Sequence, residues 1–302
     1  MGKIMAVCIS GKKGVRKEDI GTCRIIEDHG LEKDAHAGSS RQVSLLSYEA
    51  VEEFRAKSDA KDLITPGAFG ENLLVSGYDL PGLAIGTRFT AGDAVLEITQ
   101  IGKTCHTGCE ISKIAGECIM PRQGVFAKVL KGGTVSMGDD FKRVHTAAVI
   151  TSSDRSFAGE REDESGPLMA DILSSAGYNV IESVLIPDDE ERAYEELVRI
   201  SDEKMPDVLF TTGGTGFSPR DHMPEATLRA GHRNAPGISE AIRAYSLSLT
   251  PRAMLSRAAS VIRGKTIIIN LPGSPKAVRE CLEYILPVLE HGIGILSGEA
   301  DG

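Results

Sequence analysis

Three short segments of the sequence carry side chains that could bind phosphate or a metal ion, and each follows an apolar, strand-like run. The segments are SSDR (152–155), IPDDE (186–190) and TTGGTGFSPRD (211–221). Glycine-rich turns let backbone N–H groups close on an anion, and Asp154, Asp188 and Asp221 add carboxylates. Carboxylates beside a phosphate site are typical of bound Mg²⁺, which prefers oxygen ligands and shares the phosphates of its substrate. The sequence therefore predicts a crevice for phosphate and magnesium.

Plainer interpretations exist for each segment on its own. A glycine-rich stretch is often an ordinary turn. An aspartate ahead of a helix is often its N-cap, and Asp188 or Asp189 fits that role before EERAYEELVRI. A fourth segment of the same kind, NLPGSP (270–275), follows another strand-like run. Because the carboxyl ends of parallel strands lie at one edge of a sheet, we expect the four segments to converge on one crevice.

The elements that must position these segments are visible in the second half of the chain, where strand-like and helix-like runs alternate. The strand-like runs are AAVITSS (147–153), NVIESVLI (179–186), PDVLFTT (206–212) and KTIIINLPG (265–273). The helix-like runs are GPLMADILSSAG (166–177), DEERAYEELVRISDE (189–203) and SPKAVRECLEYILPVLEH (274–291), the last with Ser274 as cap and Pro275 at its first position. This alternation predicts a three-layer α/β domain with a mostly parallel sheet over residues 146–302.

Residues 1–144 have a different pattern, in which glycines separate short β-like runs. These runs are KIMAVCIS (3–10), RQVSLLS (41–47), GENLLVSG (70–77), TRFTAGDAVLEITQIG (87–102) and GGTVSMGDDFKRV (132–144). Such spacing favours a mostly-β barrel or sandwich. The clearest helix of this half is YEAVEEFRAK (48–57). The chain is therefore predicted to fold as two domains.

Composition narrows the class of protein. With 302 residues, 41% of them hydrophobic and 25% charged, the chain has the profile of a globular protein large enough for two domains. A net charge of −9 argues against nucleic-acid binding, which needs a basic face. No apolar run approaches the roughly 20 residues of a membrane span, and MGKIMAVCIS does not resemble a signal peptide. We expect a cytoplasmic protein without a membrane partner. Its six cysteines do not form a disulfide scaffold; the clustered ones suggest chemistry or metal binding, and Cys8, Cys23 and Cys281 are expected to be inert.

Four motifs of the second half together resemble the molybdopterin adenylyltransferases, the Mog-type enzymes and gephyrin G domains. They are TGGTGFSPRDHMPEAT (212–227), PGISEAIR (236–243), AMLSRAASVIRG (253–264) and IINLPGSPKAV (268–278), and the likeness spans about residues 146–297. The resemblance implies that the terminal phosphate of molybdopterin attacks the α-phosphate of Mg-ATP, which releases pyrophosphate. It also implies a homotrimer, with ATP and molybdopterin as small-molecule partners and other molybdenum cofactor biosynthesis proteins as possible protein partners.

The same resemblance assigns roles to residues. Asp188 and Asp221 would be the catalytic acids that organise Mg²⁺. The phosphate-binding loop and the rest of the substrate pocket would be formed by Gly213, Gly214, Thr215 and Gly216 with Ser153, Asp154, Glu240, Ser256, Arg257, Pro272 and Gly273. Arg220 could neutralise charge at the transferring phosphate or form a structural ion pair with an aspartate.

The first half resembles MOSC domains, which are β-rich modules of molybdenum cofactor sulfurases and related proteins. The motifs are GLEKDAHAG (30–38), RQVSLLS (41–47), PGAFGENLLVSGYDL (66–80) and IGTRFTAGDAVLEITQIGKTC (85–105). The resemblance implies a pocket for an anionic molybdenum cofactor, lined by Asp34, His36, Arg41, Glu71 and Asn72. As alternatives, Asp34 and His36 are turn residues, and Glu71 and Asn72 only hydrogen-bond the mouth of the barrel.

Cysteines cluster in CHTGCEISKIAGEC (105–118), which contains Cys105, His106, Cys109 and Cys118. Cys105 occupies the position of the MOSC cysteine, so a reactive thiol that receives sulfur or ligates molybdenum is the leading interpretation. A metal site is an alternative, although its spacing differs from the C-x₂-C pairs of most zinc sites. Idle or buried cysteines are the third possibility.

The two halves lead to one hypothesis about the whole chain. It is a molybdenum cofactor biosynthesis enzyme that adenylylates molybdopterin in its second half and handles the cofactor or its sulfur in its first. The competing hypotheses are a non-catalytic molybdopterin-binding scaffold or carrier, and an enzyme whose MOSC half handles another metal or sulfur species.

Overall fold

The structure is a computed structural model that describes residues 2–104 and 118–298. It divides into two compact units, Met1–Val144 and His145–Gly302. The described strands of the first unit are β1 (Gly2–Ile9), β2 (Glu18–Asp19), β3 (Thr22–Ile26), β4 (Gly30–Leu31), β5 (Val43–Ser47), β6 (Leu73–Val75), β7 (Arg88–Ala91), β8 (Ala94–Ile101), β9 (Val125–Lys131), β10 (Gly133–Ser136) and β11 (Asp140–Val144). Its described helices are α1 (Tyr48–Lys57) and α2 (Met120–Gln123), with 3₁₀ turns at Lys61–Leu63 and Leu80–Gly82.

Seven of these strands close into a barrel. They follow the order β11-β7-β8-β9-β5-β6-β1, and β1 pairs back with β11, which removes the free sheet edges. All the pairings are antiparallel except that of β5 with β6. The predicted N-terminal barrel is therefore confirmed.

Alternation along the strands fills the barrel. In β8, Ala94, Leu96 and Ile98 are buried while the residues between them are partly exposed, because successive side chains of a strand point to opposite faces. The rings of Phe89 and Phe141 stack inside at a centroid distance of 4.4 Å. This interior is one continuous apolar cluster, so the unit has a core of its own.

Helix α1 begins where the sequence predicts. The Ser47 side chain accepts a hydrogen bond from the Ala50 N–H, which satisfies one of the free donors of the first turn. Val51 is the buried residue of the helix, and it packs in a second apolar cluster with Phe69 and Leu74. The predicted helix at residues 48–57 is confirmed.

The second unit contains a six-stranded sheet. Its strands are β12 (Thr146–Ser152), β13 (Asn179–Ile186), β14 (Val208–Thr212), β15 (Arg233–Asn234), β16 (Ser260–Arg263) and β17 (Thr266–Leu271). The order is β13-β12-β14-β17-β16-β15. The first four strands pair in parallel, and the last two pairings are antiparallel.

Helices connect these strands and pack on them. They are α3 (Asp154–Phe157), α4 (Ser165–Ser175), α5 (Glu190–Arg199), α6 (Met223–Ala230), α7 (Pro236–Leu249) and α8 (Pro275–Ser297), with a π-helical turn at Ile200–Lys204 and a 3₁₀ turn at Pro251–Leu255. Val149 and Ala148, neighbours on β12, belong to two separate apolar clusters. The first cluster includes residues of α4, α7 and α8, and the second includes residues of α5 and α6. The buried strands of this sheet thus pack against helices on both faces.

Helix α8 has the predicted start. The Ser274 side chain accepts from the Ala277 N–H, and Pro275 takes the first helical position. The helix is 23 residues long and buries an apolar stripe that includes Val278, Leu282 and Ile285. Within residues 2–104 and 118–298, the structure contains no helix that combines the length and the apolar character of a membrane span.

The separate cores predict that the two units fold independently. Residues 1–144 and 145–302, expressed apart, should each give a cooperative unfolding transition in denaturant, because each half buries its own apolar clusters. Circular dichroism during urea titration measures this. If neither piece unfolds cooperatively, the division at residue 145 is wrong.

Candidate functional site

The four parallel strands of the second unit end at one level. Ser152, the last residue of β12, pairs with Ile186, the last residue of β13. Thr212, the last residue of β14, pairs with Thr151 on one side and Leu271, the last residue of β17, on the other. The segments after these four strands therefore leave the sheet along a single rim.

Two of the predicted aspartates are joined directly at this rim. Asp154 and Asp188 exchange hydrogen bonds, since the backbone N–H of each donates to the carboxylate of the other at 3.0 Å. The Ser152 hydroxyl also donates to Asp188 Oδ1 at 2.7 Å. Arg220, from the glycine-rich segment, donates to both oxygens of Asp154 at 2.8–3.0 Å. The hydrogen bond from the Asp188 N–H, followed by the Arg220 bonds and charge, lowers the pKa of Asp154.

Asp188 and Asp189 both precede helix α5, but their side chains have different hydrogen-bond partners. Asp189 is the N-cap, and its side chain accepts from the Arg192 N–H at 2.9 Å. The carboxylate of Asp188 contacts Ser152 and Asp154 instead. The cap interpretation therefore applies to Asp189, and Asp188 lies at the rim.

The glycine-rich loop can follow its path only because Gly213 and Gly214 lack side chains. Gly213 has a φ of +92° and Gly214 one of +63°, a left-handed conformation that glycine adopts without strain. A Cβ on Gly213 would overlap the carbonyl oxygen of Ser152, and a Cβ on Gly273 would lie 3.3 Å from the Gly213 Cα. The turns after β12, β14 and β17 thus approach one another backbone to backbone.

Asp221 lies at the far end of the same loop. Its Oδ2 accepts from the Ser218 N–H at 2.9 Å, and a Cβ on Gly216 would lie 2.9 Å from that oxygen. Arg257 holds this end, because its Nε donates to the Gly216 carbonyl at 2.7 Å and its Nη2 to the Asp221 carbonyl. Helix α6 starts two residues later without a side-chain cap, so Asp221 does not cap it.

The remaining predicted residues have structural contacts of their own. Ser153 caps α3 by accepting from the Ser156 N–H at 3.2 Å, and the Thr215 carbonyl accepts from the Arg257 N–H at 3.0 Å. Ser256 accepts an Arg243 hydrogen bond at its carbonyl.

Of two further residues predicted for the pocket, Pro272 is hydrogen-bonded to the rim and Glu240 is not. The Pro272 carbonyl accepts from Thr212 Oγ1 at 2.7 Å, which ties the turn after β17 to the end of β14. Glu240 is exposed on α7, and no hydrogen bond of the described residues joins it to the rim.

Sequence reasoning missed three polar residues that hold the rim together. Asn270 is fully buried; its amide donates to Thr211 at 2.9 Å and to Thr227 at 2.8 Å, and its oxygen accepts from the Ala259 N–H. Ser152 supports Asp188, and the Ser165 hydroxyl donates to the Gly273 carbonyl at 2.9 Å. Asparagine is an unusual residue in the middle of the apolar run IIINL, and that was the one signal available in the sequence.

The rim suits a metal ion that shares ligands with a substrate. The described residues contain no cluster of three or more His, Cys, Asp or Glu side chains able to cage a metal. Mg²⁺ usually keeps several waters and needs only one or two carboxylates beside substrate phosphates. Asp188 and Asp221 are carboxylates at this rim, so the chemistry of the residues present fits a Mg²⁺ ion shared with substrate phosphates.

The first unit contains a separate cavity of about 130 Å³. Two of the predicted MOSC pocket residues, His36 and Arg41, line it. Arg41 Nε donates to Gln100 at 3.1 Å, and its guanidinium lies 5.0 Å from the ring centroid of Phe126, which also lines the cavity.

Two other predicted pocket residues support the barrel near the cavity without lining it. Glu71 is fully buried and accepts from the N–H groups of Gly67 and Phe69 at 2.7 and 3.1 Å; burial raises its pKa to about 7. Asn72 accepts from Ser44 and donates to the Cys8 carbonyl at 3.0 Å.

Asp34 is buried in an ion pair. Its carboxylate accepts from the N–H groups of Ser10 and His36 and lies 2.9 Å from Lys17 Nζ. Burial alone would raise the pKa of Asp34, but the hydrogen bonds from His36 and the charge of Lys17 bring it below its ordinary value. Asp34 therefore stabilises the wall of the cavity rather than facing it.

The predicted cysteine cluster is only partly described. Cys105 and Cys109, with His106, lie outside the described residues. Cys118 packs against the apolar cluster around Phe69. Cys8, Cys23 and Cys281 are buried, and burial raises the pKa of each thiol, as expected for inert cysteines.

Comparison with known families matches both units. The family described as the probable molybdopterin binding domain matches residues 148–291, and the MOSC domain family matches residues 32–142. A molybdopterin adenylyltransferase of Helicobacter pylori J99 is 39% identical over 152 residues, which cover 50% of this chain and 86% of the relative.

The chain belongs to the molybdopterin adenylyltransferase family. The similarity extends to the Escherichia coli K12 molybdopterin adenylyltransferase, at 38% identity over 48% of this chain and 77% of the relative, and to Dictyostelium gephyrin, at 39% over 50% and 22%. A solved structure of the molybdopterin biosynthesis enzyme MoaB from Thermus thermophilus is 39% identical, with a TM-score of 0.49 over 51% of this chain and 98% of that one.

The two family matches include the residues of the rim but not all of the residues that line the cavity of the first unit. The strand ends and loops that carry Asp154, Asp188 and Asp221 all fall within residues 148–291. The resemblance to molybdopterin adenylyltransferases and to the MOSC domain, inferred from motifs, is confirmed by these matches. The MOSC match begins at residue 32, so Lys17 lies before it.

The close backbone approach predicts a specific cost for a methyl group in the adenylyltransferase loop. Gly213→Ala should lose about 1–2 kcal/mol from its left-handed conformation and a further 1–3 kcal/mol from overlap with the Ser152 carbonyl. Gly177→Ala is a matched control, because Gly177 has a φ of +90° and open space where the methyl group would lie. Urea unfolding of both variants measures the difference, and equal destabilisation would contradict the close approach.

Proposed function

We propose that the second unit transfers the adenylyl group of Mg-ATP to molybdopterin, in line with the names of its curated relatives. The observation that supports this most strongly is the rim, where two joined aspartates, a glycine-rich loop and a third aspartate follow strands that end at one level. Its setting, helices on both faces of a mostly parallel sheet, supports the predicted three-layer α/β arrangement.

The chemistry asks the protein for positioning and charge stabilisation. Transfer between phosphates needs no covalent nucleophile from the protein, and the described rim presents acids, amides and the arginines Arg220 and Arg257. The loop at Gly213 and Gly214 would hold phosphate oxygens with backbone N–H groups. Arg220 is more than half exposed in its ion pair with Asp154, and such surface pairs are worth little, so a phosphate could take over the guanidinium.

Asp188 and Asp221 would hold Mg²⁺, which supplies charge neutralisation at the phosphates when it is bound. The chain keeps these carboxylates in place through Ser152 and the Asp154 N–H for Asp188, and through the Ser218 N–H for Asp221. Both acids thus have fixed positions before a substrate binds.

We further propose a homotrimer formed through the second unit. Several large apolar side chains are exposed on α7, α8 and the adjoining 3₁₀ turn: Leu247, Leu249, Met254, Leu255, Tyr284 and Val288. An exposed apolar surface of this kind favours association with another protein surface. The second unit expressed alone should then sediment at three times the protomer mass.

For the first unit we propose handling of the molybdenum cofactor or its sulfur, with Cys105 as the reactive thiol. This follows from the MOSC family match and the position of Cys105 after β8. Cys105→Ser should abolish sulfur or cofactor transfer by this unit and leave pyrophosphate release by the second unit unchanged. Cys109→Ser is the control, since a structural metal site would need both cysteines and a single thiol would not; equal loss in both variants would favour the metal site.

The central prediction concerns Asp188 and Asp221. Asp221→Asn and Asp188→Asn should each slow adenylyl transfer by about two to three orders of magnitude, the usual cost of losing one charge-stabilising group. Asp221→Asn is the cleaner test, because an amide oxygen can still accept from the Ser218 N–H. The measurement is pyrophosphate release at saturating Mg-ATP and molybdopterin.

Asp189→Asn is the matched control one residue away. Asp189 caps helix α5, and asparagine caps a helix about as well as aspartate, so this variant should turn over at nearly the original rate. Unchanged molybdopterin binding and unfolding in Asp221→Asn would show that only the chemistry is lost. Near-original rates in both rim variants would rule out the mechanism and favour a molybdopterin-binding scaffold or carrier.

A further inference from the structure

Arg243, in the middle of helix α7, donates hydrogen bonds to the backbone on both sides of Arg257. Its Nε donates to the Ser256 carbonyl at 3.0 Å and its Nη2 to the Ala258 carbonyl at 2.9 Å. A guanidinium holds its donors in one rigid plane, so two bonds from the same group fix both the position and the orientation of the segment that accepts them. Helix α7 thereby fixes the backbone that carries the Arg257 side chain.

Arg243 differs from the arginines at the rim in having no acidic partner. Arg220 pairs with Asp154, and Arg257 pairs with Glu225. Arg243 is half-buried, and within residues 2–104 and 118–298 its hydrogen bonds go to the two backbone carbonyls and to no carboxylate. Removing a charged group from water without a counter-charge is costly. Its described contacts therefore serve to hold the segment 256–258 rather than to complete an ion pair.

Arg257 extends this connection to Asp221. The Arg257 N–H donates to the Thr215 carbonyl at 3.0 Å, and its Nε donates to the Gly216 carbonyl at 2.7 Å. Its Nη2 donates to the Asp221 carbonyl. One residue is therefore bonded to the glycine-rich loop at both ends of the stretch 215–221, and Arg243 fixes the backbone of that residue.

The other described hydrogen bonds of Asp221 lie within its own loop. Its carboxylate accepts from the Ser218 N–H, and its N–H donates to the Ser218 carbonyl. Residues 217–220 are exposed, so these partners would move together with Asp221. Exposed segments with few outside contacts open easily. The position of Asp221 relative to the sheet therefore depends on its bond from Arg257.

The chain immediately before Arg257 provides no buried anchor, whereas helix α7 does. The 3₁₀ turn Pro251–Leu255 has no buried residue, and its Met254 and Leu255 are exposed. Ile242, next to Arg243, is buried in the apolar cluster that α7 shares with α4 and α8. The two bonds from Arg243 thus join a loosely packed turn to a firmly packed helix.

We propose that Arg243 is a positioning residue for adenylyl transfer, which holds Asp221 at the rim through Arg257. This rests on the function proposed for the second unit, in which Asp221 is one of the two acids that hold Mg²⁺. Arg243 itself makes no described hydrogen bond or ion pair with a rim acid. Loss of its guanidinium should therefore displace Asp221 without removing any group from the rim.

Hydrogen–deuterium exchange of the full chain tests the connection without any substrate. Arg243→Met removes the donors and keeps an unbranched side chain. It should speed exchange of the backbone N–H groups of residues 215–222 by about tenfold or more, since losing a hydrogen bond from a charged donor weakens local structure by about that factor. The measurement is made below the unfolding transition of each variant, so that a general loss of stability does not contribute.

Arg263→Met is the matched control. Arg263 is a partly buried arginine that donates to Asp202 and to the Ala230 carbonyl. It pairs with Thr266, the first residue of β17, at the opposite end of that strand from the rim. Its loss also removes a guanidinium from the second unit, so it should lower stability and leave exchange in residues 215–222 unchanged.

Turnover gives a second readout. Arg243→Met should slow pyrophosphate release at saturating Mg-ATP and molybdopterin by about 10–100-fold, the usual cost of losing a group that orients a metal ligand, and Arg263→Met should keep the original rate. Arg243→Lys keeps the charge but not the planar pair of donors, so its rate should fall between the two. Added to Asp221→Asn, Arg243→Met should cause little further loss, because the carboxylate that it positions is already gone.

The two readouts separate this proposal from the one on which it rests. If the original protein releases no pyrophosphate but exchange in residues 215–222 rises in Arg243→Met alone, adenylyl transfer fails and the connection from Arg243 to the loop stands. If exchange is the same in Arg243→Met and Arg263→Met, or if the losses of Arg243→Met and Asp221→Asn multiply, the positioning role is overturned. Should Arg243→Met not fold, Arg243→Lys is compared with Arg263→Lys in the same way, and equal exchange in that pair overturns the proposal.

Discussion

The site of the second unit depends on one constraint, which is that its four parallel strands end at the same level. Because Ser152 pairs with Ile186 and Thr212 with Leu271, the residues that follow each strand leave the sheet side by side. A shift of one residue in any pairing would turn the side chains of that strand to the other face. The pairing of the strands thus brings residues from four distant parts of the chain together at one rim.

Within this rim, a fixed backbone and a few buried hydrogen bonds position the acids. Gly213 passes against the Ser152 carbonyl in a left-handed conformation, and Asn270 ties two threonines together beneath the loop. The helix cap is left to Asp189, so Asp188 is available at the surface of the rim. Groups that are oriented before a substrate arrives need no reorganisation during the reaction.

The two units differ in how far their ion pairs are exposed to solvent. At the rim of the second unit, the carboxylate of Asp154 is paired with the solvent-accessible guanidinium of Arg220. In the first unit, Lys17 and Asp34 form an ion pair in which both side chains are buried. Ionic interactions weaken in water and strengthen when buried, so the Lys17–Asp34 attraction is stronger than that between Arg220 and Asp154.

The sequence by itself determined the features that depend on near neighbours in the chain. Short β-like runs separated by glycines predicted the barrel, Ser274 before a helical run predicted the start of α8, and contiguous motifs identified both families. It could not distinguish Asp188 from Asp189 as the cap, because both precede the same helix and only the backbone path decides. Nor could it pair Arg220 with Asp154, 66 residues away, or place Lys17 against Asp34. Those contacts depend on how distant segments pack, which only the tertiary structure decides.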